Sequence, residues 1–407
     1  MPALIAAPTG AAAAALVSQA LSGVSGTSLR FRPPVGVLSA SSTEDARGVE
    51  ECPIRVVASR QRWLDDQVKG APARRALLAL ESPVAMYRRQ FIAAATFLAA
   101  CRNETSSSSP AGDFKVAVIP KGTTHEFWKA VRSGAERAGR EQRVEVVWKG
   151  PLKEDDLKQQ IDLVQSFVAQ GVHGIVLAPL NETALQRAVK DATRAKIPVV
   201  VIDSSLAGSD HKAFVATDNL AAGKLAGTHI VRDLLPEGGK VVVLRYQEGS
   251  ASTTKREDGC LEALKQGSRI EVVSDNQYAG ATTESALSTA ERLLLAQKSA
   301  EGGVQAIFAP NESTTFGVLL ALRKLDLVRR VKLVGFDASK KLLEGLDQGE
   351  VAALVVQDPQ RMGYLGVTTM VDHLRGKDIK ATIDTGSTLV TAKNRGDDEV
   401  KALLQPG

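Results

Sequence analysis

From residue 114 onward the chain alternates between two hydrophobic periods. Short apolar runs at 115–119, 144–148, 174–177 and 199–202 are each followed by longer stretches with apolar residues three or four apart. The runs predict buried strands and the longer stretches predict amphipathic helices. The first helix is expected over 126–139, with Phe127, Ala130, Val131 and Ala138 on its apolar face. The next is expected over 154–170, opened by acidic residues and stopped by Gly171, and a third over 182–194. A short strand at 213–216 and a helix over 219–234 follow, ended by the Pro-Glu-Gly-Gly run at 236–239. A second round then begins. Its strands are read at 241–244, 270–274, 306–308 and 332–335, and its helices at 255–265, 283–297, 313–325 and 339–348. A strand at 351–357, a helix at 360–374 and a last strand at 386–393 close the pattern.

The second round echoes the first. Residues 174–182 (GIVLAPLNE) resemble 305–312 (QAIFAPNE) about 130 positions later, and 197–203 (IPVVVID) resemble 331–337 (VKLVGFD). So long a period is not that of a solenoid. It predicts two similar Rossmann-like α/β lobes, each with a parallel sheet flanked by helices. In open sheets of this kind ligands sit beyond the carboxyl ends of the strands. The candidates there are residues 123–128, Asn181, Asp203, Asn311, Asp337 and Gln357. An Asp or Asn at such a place serves equally well as a helix N-cap.

Composition narrows the picture only modestly. The 407 residues allow two or three domains, and 44% hydrophobic with 24% charged residues is ordinary for a globular chain. The net charge of +5 does not imply a nucleic-acid partner, because arginines crowd residues 47–89, ahead of the regular pattern. Cys52, Cys101 and Cys260 show neither metal-ligand spacing nor a disulfide framework, and no pair of histidines has ligand spacing. No metal and no cofactor is expected.

Residues 86–101 have the three parts of a secretory signal. Arg88 and Arg89 precede an apolar stretch at 91–100, too short to span a bilayer, and Leu98-Ala-Ala-Cys101 closes it. That ending resembles the bacterial lipobox, which makes Cys101 the expected lipid attachment point. A Ser-rich tether at 101–113 follows. Residues 1–85 show no sustained period and are expected to be a disordered leader or an over-extended gene start, with Met86 as the true start.

Taken in order, Phe127-Trp128, the IPVVVID run ending at Asp203, residues 219–227, the FAPNE run containing Asn311, the VGFD run ending at Asp337, and Gln357 resemble the ribose- and galactose-type periplasmic sugar-binding proteins of bacterial ABC transporters. The resemblance covers about 114–394. It implies the type I periplasmic binding protein fold, with three chain crossings between the lobes near 216–219, 357 and 388. The first lobe is then 114–217 plus 358–387, the second 218–357 plus 388–394, and 395–407 a tail.

The resemblance also implies function. A monosaccharide (a pentose, hexose or related polyol) would be captured by hinge closure and delivered to a membrane permease by a lipid-anchored monomer in the periplasm or cell envelope. The implied ligand contacts are His125, Phe127, Trp128, Asp203, Ser204, Arg256, Asn311, Asp337 and Gln357. Carboxylates accept from sugar hydroxyls, amides donate and accept, and an aromatic ring covers a C–H face. Trp128 is the ring expected in the cleft and Phe127 the ring expected in the core. The sequence departs from the ribose binders at two positions: His125 replaces an asparagine and Ser204 an arginine. Arg256, Lys255 or Thr254 could supply the second-lobe basic residue, and Tyr278 or Ala281 could occupy the second aromatic position. Three alternatives are a nucleoside or signalling-molecule binder serving a sensor, a lactose-repressor-type regulator, and an enzyme. The second needs a helix-turn-helix ahead of residue 114, and the third a nucleophile or phosphate motif; neither is evident.

Overall fold

The computed structural model describes residues 114–404. The signal segment, the Ser-rich tether, Cys101 and residues 1–85 lie outside the described residues. The first lobe opens with β1 (Lys115–Ile119), α1 (Glu126–Gln142), β2 (Glu145–Trp148), α2 (Leu157–Ala169), β3 (Gly174–Leu177), α3 (Gln186–Arg194), β4 (Val199–Ile202) and β5 (Ala213–Ala216). The second contains α4 (Asn219–His229), which ends in a π turn at Ile230–Leu234. It continues through β6 (Gly239–Val243), α5 (Ala251–Leu264), β7 (Ile270–Ser274), α6 (Thr283–Ala296), β8 (Ala306–Phe308), α7 (Glu312–Lys324), β9 (Lys332–Phe336), α8 (Lys340–Asp347) and β10 (Ala353–Gln357). The chain finishes with α9 (Pro359–Leu374), β11 (Thr382–Asp384), β12 (Ser387–Val390) and α10 (Asp398–Leu404).

The two sheets have matching orders, β11-β5-β4-β3-β1-β2 and β12-β10-β9-β8-β6-β7. Every residue of β3, β4 and β10 is buried, as strands covered on both faces require. The chain passes between sheets after β5, after β10, and between β11 and β12. One strand departs from the all-parallel expectation: β12 runs antiparallel to β10. It arrives from β11 through Thr385 and Gly386 without a crossover helix, and Gly386 turns the chain at φ 81°. The last strand expected over 386–393 is β12, and β11 ahead of it is an additional short strand in the other sheet.

Each lobe also contains a close helix crossing. A Cβ on Gly134 would lie 1.9 Å from the Gln360 carbonyl oxygen, and one on Gly363 1.9 Å from that of Val131, so α1 and α9 meet backbone to backbone. Gly223 and Gly259 do the same for α4 and α5, with Cβ clashes of 2.0 and 2.1 Å. The α1 face differs from the sequence expectation. Its buried stripe is Trp128, Val131, Ala135 and Ala138, while Phe127 and Ala130 are only partly buried. Phe127 and Trp128 lie four and three residues before Val131, so both fit the spacing of that stripe, and Trp128 is the more deeply buried of the two.

Three helix starts differ from the sequence reading, two of them because a side chain caps a turn or helix start. The Asp156 side chain accepts from the Gln159 amide and caps α2, which leaves Glu154 in a loop. The Asn181 side chain accepts from the Thr183 and Ala184 amides, so 181–185 form a turn before α3. By contrast, α5 starts at Ala251, earlier than expected, which puts Ser252, Thr253 and Arg256 in its first turns at the cleft.

Candidate ligand-binding cleft

The carboxyl ends of the two sheets face each other across a cavity with about 320 Å³ of space unfilled by protein, including space open to solvent. Two aspartates occupy equivalent places, Asp203 after β4 and Asp337 after β9. Both have left-handed backbones, with φ 61° and 68°. Asp tolerates this region better than most residues, and such strain concentrates where structure serves a site. Neither is the N-cap residue of a helix, though the Asp337 carboxylate meets the first amide of α7. Asp203 accepts from Lys121 Nζ at 2.8 Å, with both side chains almost fully buried, and Arg256 Nη2 lies 3.8 Å from its other oxygen. Asp337 accepts from Gln357 Nε2 at 2.8 Å and from the Glu312 amide at 3.0 Å. Burial pushes the Asp337 carboxyl above the usual range, against the pull of Arg256 and Gln357.

Arg256 ties these elements together. Its guanidinium donates to Asn219 Oδ1, the Pro310 carbonyl and Gln357 Oε1 at 2.7, 3.0 and 2.8 Å, and it lies 4.3 Å from the Phe336 ring centroid. Lys255 is exposed and Thr254 half-buried, so Arg256 is the residue of that trio at the cavity. Asn311 caps α7 through Oδ1, which accepts from the Thr314 amide, while its amide nitrogen donates to Ser313 Oγ at 3.3 Å. One proton of that NH₂ group is left over for the cavity.

On the opposite wall, Glu154 is the centre. Its Oε1 accepts from Trp128 Nε1 at 2.6 Å and pairs with His125 Nδ1 at 2.8 Å, and its Oε2 accepts from the Tyr246 hydroxyl at 2.8 Å. Burial alone would lower the His125 pKa, but Glu154 outweighs it and raises the ring to about 9. Burial likewise works against the ionised Glu154, yet His125, Lys121 and Trp128 hold it down at about 2. Between these values the pair is ionic. Burial and the Glu154 charge push the Tyr246 hydroxyl well above its ordinary value, so it stays a donor.

The lobes are joined across the cleft by direct contacts. Lys121 donates to Ser252 Oγ at 2.9 Å, and the Ser252 amide donates to Ser204 Oγ at 2.9 Å. Glu312 of the second lobe accepts from the amides of Glu126 and Phe127 at the start of α1, at 3.3 and 3.1 Å. In return Glu126 accepts from the Lys340 amide at the start of α8, at 2.8 Å. Each lobe thus places a carboxylate on a helix N-terminus of the other, where unpaired amides and the helix dipole favour negative charge. The echoed Asn-Glu of the first lobe also crosses, since the Glu182 amide donates to the Gly249 carbonyl at 2.9 Å.

Of the residues singled out from sequence, His125, Phe127, Trp128, Asp203, Arg256, Asn311, Asp337 and Gln357 line this one cavity. Phe127 and Trp128 both line it, ring centroids 4.9 Å apart and edge to face, and both also pack on the first-lobe core. Ser204 does not line it; the side chain is fully buried at the lobe contact. Tyr278 is 43% exposed and, like Ala281, is not part of the lining. The second-lobe ring at the cavity is Tyr246, backed by Glu257, whose Oε1 accepts from the Tyr246 amide at 2.9 Å. Sequence reasoning also missed Lys121, Glu154 and Glu312. The signal that finds Lys121, Glu154 and Tyr246 is the one already used, polar residues just beyond strands β1, β2 and β6. Glu154 was hidden by assigning it to the following helix.

Residues 116–378 match the family described as periplasmic binding protein domain. The chain is similar to the D-allose-binding periplasmic protein of Escherichia coli, 29% identical over 273 residues, covering 65% of this chain and 86% of that one. Among solved structures it is similar to a carbohydrate transporter solute-binding protein of Agrobacterium radiobacter in complex with D-arabinose. That match has a TM-score of 0.69 and 31% identity, and covers 73% of this chain and all of the other (100%). It is also similar to the periplasmic component of an ABC-type sugar transport system from Hahella chejuensis, with a TM-score of 0.65, 35% identity and coverage of 68% and 99%.

Proposed function

The chain belongs to the periplasmic binding protein family, and on that premise we propose that it captures a monosaccharide between its lobes and delivers it to the permease of an ABC transporter. The observation that carries this reading is the set of groups around one cavity: Asp203, Asp337, Asn311 and Gln357 beside the rings of Phe127 and Trp128. The carboxylates accept from hydroxyls, the amides donate and accept, and the rings cover C–H faces. Charge supports an uncharged ligand. The cations Lys121, His125 and Arg256 are matched against Glu154, Asp203, Glu312 and Asp337, so no surplus cation calls for an anionic sugar. Nothing in this arrangement requires chemistry on the ligand.

Capture follows from closure. Excluding water makes each hydroxyl-to-carboxylate bond count more, and each unmatched polar group costs about 1–3 kcal/mol. Hinge motion between two lobes is the established mode for such architectures. A thermal-shift panel of D-allose, D-arabinose, D-ribose and other pentoses and hexoses tests the reading. A saturable stabilisation by at least one member is expected, and a flat panel, with a nucleoside or another small molecule stabilising instead, rejects it.

The proposal extends to attachment. Lipid on Cys101 would hold a monomer at the membrane beside its permease, with each buried CH₂ of the acyl chains contributing about 0.8 kcal/mol. Cys101→Ser is expected to move the native protein from the membrane to the soluble fraction. N-terminal mass spectrometry of the native protein is expected to begin at modified Cys101, and a peptide from residues 1–85 would overturn Met86 as the start.

A further inference from the structure

Glu154 makes no sense as a simple ligand contact. Three of the four acceptor directions on its carboxylate are taken by Trp128, His125 and Tyr246. Its backbone carbonyl also accepts from Gln247 Nε2 of the second lobe at 3.0 Å. The side chain passes close over Gly122, where a Cβ would lie 2.9 Å from Glu154 Cγ. The path is therefore built for this carboxylate. Two of its partners, His125 and Trp128, line the cavity from α1 and its entry. The third, Tyr246, comes from the other lobe.

We propose that Glu154 is the positioning residue of the cleft: its carboxylate holds Trp128 and His125 in place against the ligand, and Tyr246 completes its coordination only when the lobes close. The inference rests on the sugar-capture reading and adds a cause for closure within it. In an open cleft the Glu154 oxygen that takes Tyr246 would face water. On closure it exchanges water for a phenol donor inside a dry site, so the first-lobe wall that touches ligand is linked to the second lobe by one group. A buried carboxylate with a purely local structural role would need no partner across the cleft.

Other charged groups face this cluster and must be considered in any titration. His125 is also within the fields of Glu312 and Asp337, and Glu154 within that of Lys121. The test uses the full chain with labelled histidine and tryptophan, first without sugar. In the wild type the His125 ring is expected to titrate near 9. In Glu154→Gln it should fall toward or below its ordinary 6.5, with a shifted Trp128 indole N–H signal. Tyr246→Phe should leave both signals in place and instead widen the ligand-free particle in small-angle scattering. With the best-binding sugar of the thermal-shift panel, Glu154→Gln is expected to weaken affinity by roughly tenfold to a hundredfold and to move the pH dependence of binding from near 9 down to about 6.5 or below. Unchanged His125 and Trp128 signals in Glu154→Gln, or wild-type affinity and compactness in Tyr246→Phe, would overturn the proposal. If no sugar binds the wild type, the sugar reading fails, while the ring signals and scattering still decide the positioning role.

Discussion

Replacing Asp203 with alanine strikes a deeply buried ion pair in the cleft. Lys121 Nζ has three donors, directed at Asp203 at 2.8 Å, Ser252 at 2.9 Å and Ser250 at 3.4 Å. Only the first partner is charged, and the lysine is 3% exposed. Breaking a buried pair from one side costs about 3–5 kcal/mol, because a charge is left without its partner. The two serines still receive protons, which places the cost near 3 kcal/mol. In denaturant unfolding that is a loss of about 3 kcal/mol. Replacing both members, Asp203→Ala with Lys121→Met, removes the stranded charge. The double variant should therefore be more stable than the sum of the two single losses implies, with a coupling of about 1–3 kcal/mol. Additive losses would refute the reasoning, as would an Asp203→Ala protein as stable as the wild type.

Asp337→Ala and Asn311→Ala should each abolish measurable sugar binding while the circular dichroism spectrum and cooperative unfolding persist; unchanged calorimetric affinity in both would reject the site assignment. His125, raised to about 9 from 6.5, binds its proton more tightly in the folded chain, so its contribution is full below pH 6.5 and is lost as pH rises to about 9. Glu154, held at about 2, contributes above its ordinary 4.5 and loses that contribution as pH falls toward 2. Thermal stability should therefore decline from pH 6.5 to 9 by at most about 3 kcal/mol, and His125→Gln should flatten that limb. Gly259→Ala would bring a Cβ to 2.1 Å from the Leu220 carbonyl oxygen and force α4 and α5 apart. A loss of about 1–3 kcal/mol in denaturant unfolding is expected, with weaker ligand binding because Arg256 sits one turn away on α5; wild-type stability would contradict the crossing geometry.

The architecture was legible because buried parallel strands write themselves as continuous apolar runs, and the echo of GIVLAPLNE in QAIFAPNE marks two lobes. What the pattern did not carry was anything decided by a single cap or turn. Asp156 ends the loop that frees Glu154, and no hydrophobic period distinguishes that loop from a helix start. The three-residue β11, joined to β12 through Gly386, is too short to show as a hydrophobic run. On α1, Phe127 and Trp128 are both large, adjacent and in helical register with Val131, so spacing does not decide which ring is the more buried; in the fold it is Trp128. In the cleft, strand-end aspartates could be listed but their left-handed backbones could not. Contacts between lobes were least visible. The exchange of Glu312 and Glu126 between α1 and α8 pairs residues far apart in sequence, and each carboxylate alone reads as an ordinary first-turn residue.

The central claim is that the cavity between the lobes receives a monosaccharide. Isothermal titration of the full chain with the pentoses and hexoses of the thermal-shift panel tests it most directly. The account predicts one saturable site per chain for at least one neutral sugar, and no binding heat when Asp337 is replaced by alanine. No saturable heat with any sugar, or the same heat in the Asp337→Ala protein, would contradict it.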